Sequence, residues 1–111
     1  METSVSYQQG DVVLIPWTGK PGTVIADRPL AVGEGHHEHV MVGDVTLREV
    51  EEDGVRSLLA TVGVGGGQLV HRRTGGGEGE HGTIQVSPGI YRVGIVHEWD
   101  VWAHEAKQVV D

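Results

Sequence analysis

Cysteine is absent from this chain of 111 residues, which excludes disulfides, thiolate zinc sites and cysteine nucleophiles together. Any bound metal must be held through nitrogen and oxygen. Phenylalanine is absent too, and aromatic residues make up 5% of the chain, so a core has to be assembled mostly from Val, Leu and Ile. That vocabulary favours strands. Long apolar runs are missing: nothing approaches the ~20 residues of a membrane-spanning helix, and the opening METSVSYQQG has no basic region followed by an apolar stretch. The expectation is a soluble, cytoplasmic protein. Bases are scarce as well, with 8 Lys and Arg against 16 Asp and Glu and a formal charge of −8. A polyanion is repelled by such a surface, so neither nucleic acid nor membrane is an expected partner.

Glycine, in contrast, is abundant, with 18 residues. The length supports one small β domain over 1–111, with 1–9 and 103–111 read as flexible tails. DVVLIPW (residues 11–17) is a short apolar run closed by the turn signals of TGKPG. TVIADRPLAV forms a second extended segment interrupted at Pro29, because proline removes a ladder donor. HHEHVMVGDVTLREVEEDG reads as strand, turn near Gly43 and Asp44, strand, and a second turn at EEDG. VRSLLATVGV follows, then a short strand, QLVHRR, between two glycine-rich segments that resist helix by about 1 kcal/mol per glycine. Of these segments, VGVGGG is expected to be a flexible turn, and TGGGEGEHG either a mobile loop able to close over a ligand or a hairpin tip. In IYRVGIVHEWDVW, Tyr91, Val93, Ile95, His97, Trp99 and Val101 alternate with more polar residues and share one side of an extended chain. Only WAHEAKQVVD at the end is suited to a helical turn. The fold class expected is all-β, a small antiparallel barrel or sandwich.

The seven histidines are the chemical signal. In GEGHHEHVMV, strand alternation projects His37 and His39 to one face about 7 Å apart at the backbone, near enough for two imidazoles to converge on an ion. The bland alternative is a solvated polar strand end. Glu80 and His81 are the next candidates, just ahead of another strand. His71 ranks below His81, since its neighbours Arg72 and Arg73 disfavour a nearby cation. His97 lies in the apolar stripe, either as a hydrogen-bonded core histidine or projecting inward to meet the His37/His39 pair. Such donors fit Zn(II), Ni(II), Fe(II), Mn(II) or Cu(II) without choosing among them. A closed four-ligand site is structural; an open position admits water or substrate.

This spacing resembles the first motif of cupins, small metal-binding β-barrels in which glycine precedes His-x-His and an acid follows. The resemblance implies His37, His39 and Asp44 as ligands. The second cupin motif departs from its pattern: Gly82 and Pro88 fit, Gly89 comes one position early, and Val93 stands where a histidine belongs. Over more of its length the chain is similar to a group of small bacterial and phage-associated proteins without assigned activity, at Gln9–Val12, Gly35–His39, Glu80–Ile84 and Pro88–Val93.

Three functions compete. The first is a metal-binding β-barrel acting as a binding or accessory module through His37, His39 and His81. The second is a cupin-like metalloenzyme with Glu38, Glu80 or Glu98 as general base. The third is a structural subunit of a homo-oligomer with incidental histidines and Trp17, Trp99 and Trp102 at subunit contacts. No Gly-x-Ser-x-Gly elbow and no P-loop occurs.

Overall fold

Short runs of Val, Leu and Ile, broken by Gly, Pro and Asp, give eight strands: β1 (Tyr7–Gln9), β2 (Val12–Pro16), β3 (Thr23–Val24), β4 (Ala31–Gly33), β5 (His37–Glu52), β6 (Val55–Arg73), β7 (Ile84–Val86) and β8 (Gly89–Ile95). The structure, a computed structural model, describes residues 5–33, 37–73 and 82–96. Among these there is no helix, and every strand pairing is antiparallel. The all-β expectation holds. The expected helical turn and tail near the C-terminus lie outside the described residues.

The β5–β6 hairpin organises the rest. Asp53 and Gly54 join its arms at φ 52° and 78°, the positive values that a two-residue primed turn requires. On one side, β6 is flanked by β8 over Leu58–Val62 and by β7 over Gly67–Leu69. On the other, β5 pairs with β3 at Arg48 and Glu49 and with β4 at His37–His39. Pro29 falls between β3 and β4, as its missing donor dictates. The sheet runs β1-β2-β8-β6-β5-β3. Among the described residues no ladder joins β1 to β3, so the sheet is not closed as a barrel.

Two expectations change along the hairpin. Gly43 and Asp44 were expected to turn the chain, and VGVGGG to form a flexible turn; instead both sit inside β5 and β6 as a wide bulge. The register jumps from Gly43↔Gly67 to Val45↔Val62, setting Asp44 alone against residues 63–66. Asp44 fills the gap by accepting a hydrogen bond from the Gly65 amide at 3.0 Å. A β-carbon on Gly63 would overlap that carboxylate. Gly43 has φ 102°, and a β-carbon there would come within 2.9 Å of the Gly66 carbonyl. The glycines are thus spent on a bulge, which strengthens local twist while keeping the strand continuous.

The core gathers Val12, Leu14, Leu30, Leu47, Ala60, Val62, Leu69, Val86 and Tyr91. Burying each large aliphatic side chain contributes about 1.5–3 kcal/mol. Tyr91 is buried, with Val93 and Ile95 partly buried against the same cluster, as the alternation of β8 predicts. Tyr7–Gln9, expected within a flexible tail, instead pairs with Val12–Leu14 as β1, and Gln9 is 3% exposed.

Candidate functional site

Above the bulge the hairpin register sets His39 opposite His71 and Glu38 opposite Arg72. Directly opposed residues share a face and successive ones alternate. His37, His39 and His71 therefore stand on one face, in the row that continues through Met41 and Leu69 into the core. The ring of His71 lies 4.5 Å from that of His39 and 5.1 Å from that of His37. His39 and His71 are buried, at 4% and 8% exposure.

Glu38, entertained as a general base, belongs to the opposite face. Its carboxylate accepts a hydrogen bond from Arg72 Nε at 2.9 Å. Arg72, one of the two arginines held to disfavour a cation at His71, is therefore directed away from the imidazoles and paired with a buried acid, whereas Arg73 is the register partner of His37 in the imidazole row. Arg72 follows His71 in sequence but projects to the other side of the pleated strand.

A residue that sequence reasoning left without a role anchors the cluster. Gln9 is buried, and its amide nitrogen donates to the Leu69 carbonyl at 3.0 Å and to the Gly82 carbonyl at 2.8 Å. Turning the amide over would press its oxygen against both carbonyls, so the orientation is fixed by chemistry. Its oxygen therefore faces His39 Nδ1 at 2.9 Å and acts as acceptor, which places the proton on Nδ1. The other ring nitrogen, Nε2, faces Asp11 Oδ1 at 3.5 Å. Gln9 and Asp11 lie in the QGDV segment, and Gly82 lies between Glu80 and Ile84, so three stretches noted for their resemblance meet around one imidazole. The available signal was that segment, but a strand-end Gln and Asp carry no metal-ligand spacing of their own.

Of the other candidates, Asp44 is exposed and committed to the glycine bulge. Glu80, His81 and His97 lie outside the described residues. Among the described residues there is no group of three or more His, Asp or Glu side chains placed to hold a metal ion. The donor chemistry of the cluster, imidazole nitrogen with a carboxylate beside it, nonetheless suits a divalent transition metal and not a soft thiophilic one.

A second feature lies at the far end of β2. A half-open cleft of about 460 Å³ is lined by Tyr7, Pro16, Trp17, Thr18, Ser87 and Tyr91, among others. The two tyrosine rings meet edge to face at 5.7 Å. Tyr7 accepts from the Ser87 amide at 3.1 Å, and Tyr91 donates to the Ser87 carbonyl at 2.6 Å. Hydrogen bonding from Ser87, through its side chain first and its amide next, draws the Tyr7 phenol below its ordinary value. Burial, followed by the charge of Tyr7, pushes Tyr91 up to about 12. Both hydroxyls are used in holding the Ser87 turn.

A family model described as a domain of unknown function (DUF8820) matches residues 8–95. No curated protein and no solved structure shows a significant match to the chain.

Proposed function

The chain belongs to the DUF8820 family, a domain of unknown function, and since that membership carries no activity with it, we propose from the site chemistry that the protein is a small metal-binding β domain serving as a binding or accessory module. The observation that carries this reading is the convergence of His37, His39 and His71 on one face, with His39 held from behind by a buried glutamine. Burying several imidazoles together is costly unless each is hydrogen-bonded or ligating. A divalent transition metal is the group such a face would serve, with Zn(II), Ni(II), Fe(II) and Mn(II) as the candidates, and Glu80 and His81 are further donors by their place in the sequence. Hydrogen bonds from Gln9 to Gly82 and from the Ser87 amide to Tyr7 tie β1 to both ends of β7 and hold the N-terminal strand beside the histidines.

Elemental analysis of untagged protein, purified without chelator or metal resin and then incubated with Zn(II), tests the reading. The expected result is about one ion per chain, lost in the His37→Ala, His39→Ala double variant while the far-ultraviolet β signature persists. A parent protein that retains no metal overturns it.

A further inference from the structure

We infer that the cleft at the far end of β2 binds a proline-rich segment of a partner protein in the polyproline II conformation. The cleft shares no lining residue with the histidine cluster, so the inference stands apart from the metal-binding reading. Strand register builds its floor. Tyr7 stands opposite Leu14 and Tyr91 opposite Pro16; Leu14 and Pro16 are two residues apart in β2, so Tyr7, Pro16 and Tyr91 project to one face. Trp17 follows as the strand leaves the ladder, its amide still bonded to the Ile90 carbonyl at 2.8 Å. The indole is held in place, because its N–H donates to the Lys20 carbonyl at 2.7 Å and Gly19 lies so close that a β-carbon there would overlap the ring. Tyr7, Trp17 and Tyr91 are every Tyr and Trp among the described residues, and all three border this cleft. Trp17 belongs neither to the core nor to the side chains packed against it, so filling the interior does not account for it.

The lining selects the occupant. None of the described residues that border the cleft is an acid, a base or a histidine, so a charged group held there would be desolvated without a partner. A sugar would set many hydroxyls against ring faces and proline carbons, which satisfy few of them. A small apolar molecule needs about 70–90% of its surface buried, and a half-open cleft of about 460 Å³ does not enclose it so far. An extended segment that runs on past both ends needs no such enclosure. Prolyl residues fit in two further ways. Their rings pack on Trp and Tyr faces, in a helix already ordered before binding. Their main chain offers carbonyls and no N–H, while Thr18, exposed beside Trp17, and Tyr7, which accepts from the Ser87 amide, each have a hydroxyl proton to donate. The four prolines of the chain are isolated from one another, and Pro16 and Pro88 belong to the cleft itself, so the segment comes from another protein. The formal charge of −8 favours one flanked by lysine or arginine.

The test is a proton–nitrogen correlation titration of the full chain with a capped decaproline ending in two lysines. A Gly-Ser peptide of equal length with the same lysines, and chitohexaose, serve as the comparison ligands. The proline peptide should shift the Trp17 indole and the amides of Thr18, Ser87 and Gly89 to saturation, and the other two should leave them in place. Trp17→Ala should weaken binding about 30-fold, the scale of a truncated tryptophan hot spot, whereas Asp44→Asn, away from the cleft, should bind like the parent. Equal shifts from both peptides, saturation by chitohexaose instead, shifts confined to residues outside the cleft, or no shift at all would each overturn the inference. Should Trp17→Ala lose its fold, the parent alone decides: intermolecular Overhauser contacts between prolyl ring protons and the Trp17 ring support the site, and their absence at saturation overturns it.

Discussion

Below the bulge, the core-facing row of the β5–β6 hairpin carries Val45, Leu47, Leu58, Ala60 and Val62; above it, the same row carries Met41 and Leu69 and then turns to His39 and His71. One half excludes polar atoms from its buried row, whereas the other buries imidazoles and calls on β1 to satisfy them. The bulge at Asp44 lies between the two and breaks their register, so each half packs to its own requirements. The lesson is that stability and chemistry are assigned to different lengths of a single pair of strands.

The largest effect should come from the apolar half. Leu47→Ala, at a side chain 3% exposed, should cost about 2–5 kcal/mol through lost burial and the cavity left behind, read as a shift in the urea midpoint. Metal affinity of the folded fraction should be unaffected, and a coupled loss would show that the halves are not separate. In the polar half, Gln9→Leu leaves the Leu69 and Gly82 carbonyls and the His39 Nδ1 proton without their partner. Each orphaned buried group costs about 1–3 kcal/mol, offset in part by the added apolar side chain. A Gln9→Leu protein as stable as the parent would mean that water replaces the amide and that the clamp is dispensable.

The smallest effect concerns pH. Tyr91, paired with Ala60 of the apolar half, is held above its ordinary value of 10.0, at about 12. A raised pKa means that the fold prefers the protonated phenol. Its stabilising contribution is intact below pH 10.0, the unfolded value, and is lost as pH climbs to about 12. Tyrosinate absorbance should therefore rise in two separate steps, Tyr7 first and Tyr91 last, with the urea midpoint falling across the second window. A single step near the ordinary value would show that Tyr91 is not buried in solution.

Much of this architecture was legible in the sequence because it rests on local rules. DVVLIPW became β2, Pro29 separated two strands, EEDG turned the chain, and Tyr91, Val93 and Ile95 shared a face. The glycine-rich VGVGGG was misjudged because glycine signals positive φ without saying whether a turn or a bulge uses it; the partner that decides, Asp44, lies across the ladder. His37 and His39 were found by strand alternation. Gln9, Asp11 and His71 were not assembled with them, since that requires the register of β5 on β6 and the return of β1 to β6. Alternation would have freed His71 from the objection raised by Arg72 had the pairing of Glu38 with Arg72 been foreseen.

The hairpin also sets an order of assembly. Its arms are adjacent in sequence and joined by a two-residue turn, so its rungs close with little loss of chain entropy. The pairing of β2 with β8, from Val12↔Ile95 to Pro16↔Tyr91, spans nearly the whole chain and is expected to close afterwards. Gln9 and Asp11 reach His39 only when that long loop shuts. The Gln9 amide, bonded to Leu69, Gly82 and His39, therefore acts as a latch on the final step of folding, slowing the release of the N-terminal strands while leaving the rate of hairpin formation unchanged.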